Sequence, residues 1–410
     1  MTNVPLRHGW VPQPDGRGTY DIVWGCLLVL FVGVWTVLHL NVPARNESYW
    51  SVAYRKVRWA LLAVCAPEML TVFALMQWRA AKSSVEEMVG YGEWTIVHAF
   101  YANAGGFLLE TPDCPAFPIN ATSIHYLCSN GWMKMPNSTR EGIWDRSKAD
   151  RFAKCVALIQ AVWLLVQVIA RGTQSLAITP LELFTVAFVV PTVATAFYWA
   201  NKPQNVGQPT VIKIDSRIAD ILLTAGDAAR EPYVDTPMDF IEKPAWNGWK
   251  RRPSLLHHGG LTQRPLERIP NDYSPPPTGK GAVFAGIISI THASIHLLGW
   301  SFPFPTDFEV MIWRASSLTL VFVQTLGGFV LVLTTQPWFD FDFTLLWVWV
   351  REARKRTWIR RWMFSIMAGL IVGIYIMARI FVILEIFLSL RALPADAYVG
   401  VNWSIFEPRQ

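Results

Sequence analysis

Apolar residues gather in seven blocks along the chain, roughly 22–40, 59–77, 153–171, 180–199, 282–302, 313–334 and 363–390. At ~1.5 Å rise per residue each block matches the ~30 Å hydrocarbon core of a bilayer. In lipid a helix satisfies its own backbone, so the pattern predicts an all-α fold: a polytopic membrane helix bundle of about seven transmembrane helices with interfacial amphipathic helices. The chain then divides into a polar tail (1–20), a first membrane block (21–200, with a loop at 78–152), a polar loop (201–281), a second membrane block (282–390) and a closing tail (391–410).

Between the blocks the pattern changes character. Residues 93–110 are barely long enough to cross, and His98, Asn103 and the pair Gly105-Gly106 interrupt them, which suits a re-entrant or interfacial stretch. Ser138 to Glu141 reads as a capping box opening a helix that continues into the third block. Asp215 is placed to cap a short amphipathic helix, and the rest of 200–281, rich in Pro, Gly and Arg, reads as a peripheral lid on the headgroups. Residues 337–362 combine aromatic and basic positions as an in-plane helix on an anionic leaflet does.

Composition supports a membrane environment. Charged residues make up 16% of the chain, against ~25% in typical soluble proteins. Many of the 21 tryptophans flank the apolar blocks, where indole rings sit at headgroup level. The net charge of +6 lies in connecting loops rather than along one stripe, which points to membrane lipid as partner and away from nucleic acid. The first twenty residues carry no cleavable signal pattern, so the first block is expected to direct insertion. With seven crossings, the side holding the amino terminus carries 26 Lys and Arg against 6 opposite. The positive-inside rule then places the amino terminus in the cytosol, in an endomembrane or the plasma membrane. Cys26, Cys65 and Cys155 read as small buried hydrophobes, while Cys114 and Cys128 share a loop without the CxxC spacing of zinc sites.

Ionisable side chains inside the blocks are the candidate chemistry, since each costs ~2.5–3.5 kcal/mol on insertion scales. Glu68, after Pro67, stands near the middle of an apolar segment. His292 and His296, four apart, share one helix face at a spacing that suits proton relay, metal ligation or plain hydrogen bonding to neighbouring carbonyls. These three are the candidate catalytic residues. His39, His98, Asn103 and Glu182 are candidate ligand contacts, although Thr179-Pro180-Leu181-Glu182 also reads as a helix cap and His98 as a turn histidine. Arg379 and Glu385 fall on different faces of one helix and remain unassigned. No Walker loop, GxSxG, HExxH, zinc-finger or DDxxD pattern is present, and neither a metal set nor a cofactor is implied.

The order of TYDIVWGCLLVLFVGVWTVLHLNVP (19–43), WTIVHAFYANAGGF (94–107), DRSKADRFAK (145–154), ITPLELFTVAF (178–188) and AYVGVNWSIFEPRQ (397–410) resembles a large family of uncharacterised fungal multi-pass membrane proteins. The resemblance implies a fungal membrane protein and carries over no catalytic residue. Tails in that family finish with Pro-His, from which Glu407-Pro408-Arg409-Gln410 departs. The leading expectation is an intramembrane cavity, with Glu68, His39, His292 and His296 as its sparse polar groups, that binds or converts a lipophilic small molecule by acid–base chemistry such as cyclisation or isomerisation. A transporter, channel or receptor using the same groups, and a membrane scaffold, are the alternatives.

Overall fold

The computed structural model describes residues 6–13, 16–147, 151–229, 237, 265, 267–272, 280–335 and 358–406. Six helices are long and apolar enough to cross a membrane: α1 (Thr19–Val37), α7 (Arg151–Thr173), α8 (Pro180–Tyr198), α10 (Lys280–Ile295, prolonged by a 3-10 turn to Gly299), α11 (Asp307–Thr335) and α12 (Trp358–Leu388). Local chemistry sets their starts. Asp21 accepts the Gly18 N–H at 2.8 Å to open α1, and Thr179, Pro180 and Glu182 form a reciprocal capping box for α8. Gly286 and Gly328 let α10 and α11 approach until a Cβ on Gly328 would meet the Gly286 Cα at 3.3 Å.

The block expected at 59–77 is not one straight span. It divides into α2 (Tyr49–Cys65) and α3 (Pro67–Glu87), bent by 110° at Ala66. Pro67 cannot donate to the preceding turn, and it pushes Ala66 out of the helical region to φ −147°, ψ 65°. The hairpin returns to the face it came from. Val42, before α2, donates to the Ala104 carbonyl, beyond α3, and Asn41 and Gln77 both bond Asn271.

That return changes the count of crossings. β1 (Leu6–His8) pairs antiparallel with β5 (Ala392–Pro394), placing the first and last described segments on one face, whereas seven crossings would separate them. Six helices long enough to cross, with α2 and α3 folded back as a hairpin, are compatible with both observations. This seam face also holds the Arg17–Glu182 and Arg391–Glu309 ion pairs. The opposite face carries the ends of α1, α3 and α8 and a small subdomain that adds strands to the helices.

The subdomain departs from an all-α reading. Residues 94–110 do not cross but form α4 (Ile96–Asn103) and then β2 (Phe107–Thr111), which pairs antiparallel with β3 (Cys114–Ile119) and parallel with β4 (Thr210–Lys213). The glycine pair is explained here. Gly105 adopts φ +83°, and a Cβ on Gly106 would lie 2.4 Å from the Tyr101 ring. Helix α5 (Ala121–Ser129) begins with Asn120 accepting the Ser123 N–H. The expected cap at Ser138 is made instead by Thr139, and α6 (Arg140–Arg146) ends before α7 begins. Helix α9 (Ile218–Ala225) is capped by Asp113 of the β2–β3 turn, not by Asp215: its two oxygens accept the Ile218 and Ala219 N–H groups at 2.9 and 3.0 Å. Those donors hold the Asp113 carboxyl down to about 2. Cys114 and Cys128 are free thiols. The expectations for the lid of 238–264 and the in-plane helix of 337–357 lie outside the described residues.

Candidate functional site

Glu68, His292 and His296 do come together, with partners the sequence did not nominate. The Glu68 carboxylate, at the start of α3, accepts from Gln324 Nε2 of α11 at 2.9 Å and from the Tyr375 hydroxyl of α12. Its other oxygen lies 3.4 Å from His292 Nε2 and 3.5 Å from Arg379 Nη2, within ion-pair range but without a hydrogen bond. Arg379 donates from Nη2 to His292 Nε2 at 2.7 Å and from Nε to the Cys65 carbonyl at 2.6 Å. A guanidinium only donates, so His292 Nε2 is the acceptor and Nδ1 carries the proton, given to the Ala187 carbonyl at 2.8 Å.

Both carbonyls are orphans of broken helices. The α2–α3 bend strips Cys65 of its helical partner, because the Met69 N–H turns to Ala66. Pro191 inside α8 has no N–H for Ala187 one turn earlier. Arg379 and His292 supply the missing donors, and Glu68 balances the guanidinium. The cluster therefore braces two interrupted helices, and it leaves few lone pairs for chemistry.

His296 sits edge-on to His292, ring centroids 5.5 Å apart, with Nδ1 3.3 Å from the His292 carbonyl. Its Nε2 is buried without a hydrogen bond, as is the Trp313 Nε1. Gly299 permits that packing: a Cβ there would meet Trp313 Nε1 at 2.9 Å. Glu385 of α12 is buried with neither oxygen hydrogen-bonded.

The other nominated residues lie elsewhere. His98 accepts the Thr95 N–H at Nδ1 and donates from Nε2 to the Ser138 carbonyl at 2.7 Å, stacked on Trp94 in the subdomain. Asn103 accepts the Ala121 N–H, and Glu182 is shared between Thr179 and Arg17. His39, just past α1, forms a different site.

There, His39 Nδ1 donates to the Val37 carbonyl at 2.8 Å, and Nε2 accepts from Lys154 Nζ of α7 at 3.0 Å. Burial, then the Lys154 charge, pushes the imidazole down to about 3, so it stays neutral. Both groups close one end of a cavity of about 240 Å³ between α1, α7 and α8, walled by Val29, Gly33, Phe188 and Val193. Among the described residues no carboxylate lies within ion-pair distance of Lys154. Beside it, Lys202 is buried and donates to Asn41 Oδ1 at 2.9 Å and Gln77 Oε1 at 2.8 Å under the Trp199 ring. Desolvation pushes its amine down to about 7.

Sequence reasoning missed Lys202, Asn41 and Gln77, which looked like ordinary loop and helix-end residues. It also missed Gln324 and Tyr375, which carry no charge. Their signal was polarity within an apolar run. Among the described residues, no group of three or more His, Cys, Asp or Glu side chains is arranged to hold a metal. No curated protein and no solved structure matches the chain. A family model described as "Family of unknown function (DUF8562)" matches residues 3–226 and 282–410, and the match carries neither an activity nor a source organism.

Proposed function

We propose, on the premise that this chain belongs to the family of unknown function DUF8562, that it is an integral membrane protein whose α1–α7–α8 cavity binds the tail of an acidic amphiphile. Lys154 attracts the acidic head. The supporting observation is an apolar cavity that ends on an ammonium group with no carboxylate partner among the described residues. At about 240 Å³ it falls just below the ~300–1,000 Å³ of drug-sized sites, which suits one alkyl chain better than a compact ring system. Binding is favoured over conversion because the only imidazole in the wall already spends its lone pair on Lys154. Photolabelling the full-length protein in phosphatidylcholine nanodiscs with a dodecanoate bearing a terminal diazirine tests this. Label is expected on α1, α7 and α8, with Lys154→Met cutting it about tenfold or more and a dodecanol analogue showing no such dependence. Equal labelling of Lys154→Met and the unaltered protein would falsify the reading.

The orientation follows from the six-crossing arrangement. Outside the six candidate spans the segments on the seam side carry 3 Lys and Arg and those on the opposite side 27, so the subdomain face is cytosolic and both tails are exoplasmic. This reverses the amino-terminal side expected from seven crossings. In sealed vesicles, a membrane-impermeant maleimide is expected to reach Ser404→Cys and Glu87→Cys from opposite sides, and same-side labelling would defeat the arrangement.

A further inference from the structure

A second cavity, of about 470 Å³, opens between α1, α7 and residues 400–403 at the seam face. Its lining includes Gln160 and Gln167, seven apart on α7 and so on one side of that helix, in a stretch whose mean hydropathy is 2.0. Polar amides are costly in such a helix unless they have partners. Among the described residues neither makes a hydrogen bond, so up to two donors and two acceptor positions on each are open toward the cavity.

The charged residues around them are already occupied. Arg171 gives its N–H groups to the carbonyls of Ala177, Asp396, Ala397 and Val399. Arg17 pairs with Glu182, and Asp21 accepts from Gly18 and Gln13. Hydrogen-bonding capacity therefore remains mainly on uncharged amides, which both donate and accept as a hydroxyl does. Trp163 and Trp403 stack with centroids 5.5 Å apart, line the same cavity and stay 50% and 41% exposed, which leaves indole surface for the apolar side of a saturated ring. Val29 lines this cavity and the Lys154 cavity alike, at the boundary between them.

We propose that this cavity binds the uncharged, hydroxyl-rich headgroup of a glycoside-type amphiphile, with Gln160 and Gln167 as its hydrogen-bonding contacts and Trp163 and Trp403 as its stacking wall. The site is separate from the Lys154 reading and stands if that reading fails. The test uses the full-length protein in phosphatidylcholine nanodiscs with dodecyl glucoside carrying a chain-terminal diazirine. Label is expected on α1 and α7 around Val29, and octyl glucoside should compete about tenfold better than octyl phosphate or octanol. Two lost hydrogen bonds correspond to about tenfold or more in affinity, so Gln160→Leu with Gln167→Leu should weaken glucoside competition by that factor while Lys154→Met leaves it unchanged. The double variant makes α7 more apolar, and a melting temperature within a few degrees of the parent certifies its fold; if it does not fold, Trp163→Leu gives the same readout and is expected to lose the same preference. Competition by octyl phosphate or octanol equal to that of octyl glucoside, label confined to other helices, or a folded variant that retains glucoside competition within about twofold would each overturn the proposal.

Discussion

The Glu68 cluster and the groove along α1 and α7 are opposites in how they treat polar groups. In the first, carboxylate, guanidinium, imidazole, phenol and amide from four helices face one another, and most of their hydrogen bonds are made within the cluster or to freed carbonyls. In the second, an ammonium and two amides lie along cavities with little or nothing to bond. Rarity of charge marks both regions equally in the sequence. What separates them is satisfaction: polar groups that answer each other hold the fold, and those with hydrogen-bonding capacity to spare are the ones proposed above to meet a ligand.

The largest effect that would break this contrast is expected at Glu68. Glu68→Gln leaves the Arg379 guanidinium buried without its counter-charge, at a cost of about 3–5 kcal/mol, read as a lowered melting temperature in detergent. Adding Arg379→Met should recover part of that loss. Melting unchanged by Glu68→Gln would make the cluster a site rather than a brace. Lys154→Met, which removes only the donor to His39 Nε2, should lower melting by the smaller cost of one unpaired buried nitrogen, about 1–3 kcal/mol, while binding falls, and that pairing sharpens the comparison.

A second effect is expected from pH. The Lys202 amine is pushed down to about 7 from 10.5, so the unfolded chain binds more protons between those values and stability should rise as pH climbs from 7 toward 10.5. Lys202→Met should flatten that rise. His39, pushed down to about 3, acts at the other end: its contribution is complete above 6.5 and is lost as pH falls from 6.5 toward 3. The smallest change is Asp113→Asn, which keeps a capping oxygen but removes its charge. Faster hydrogen exchange at the Ile218 and Ala219 amides is the expected readout, with no change in the helices that carry the cavities.

Much of the architecture was legible. The blocks at 153–171 and 180–199 differ from the helices by a few residues at each end, because a long apolar run has one main way to satisfy its backbone in lipid. The bend inside the block at 59–77 was not legible for a physical reason: hydropathy averages across Ala66-Pro67, and the 110° turn shows only in three dimensions. The strands at 107–119 were missed because the preceding helix and the glycine pair imitate an interrupted span. Among candidate residues, Glu68, His292 and His296 were found by charge and do meet. Gln160 and Gln167 were passed over, since neutral amides do not register as ionisable and their lack of partners is visible only in three dimensions.

The pairing of residues 6–8 with 392–394 has a consequence for how the molecule is made. The strand at residues 6–8 must wait for nearly four hundred residues before its mate exists, the widest strand pairing among the described residues. Amide protection at that seam would therefore appear last during biogenesis, and its presence would certify that every helix between had already found its place.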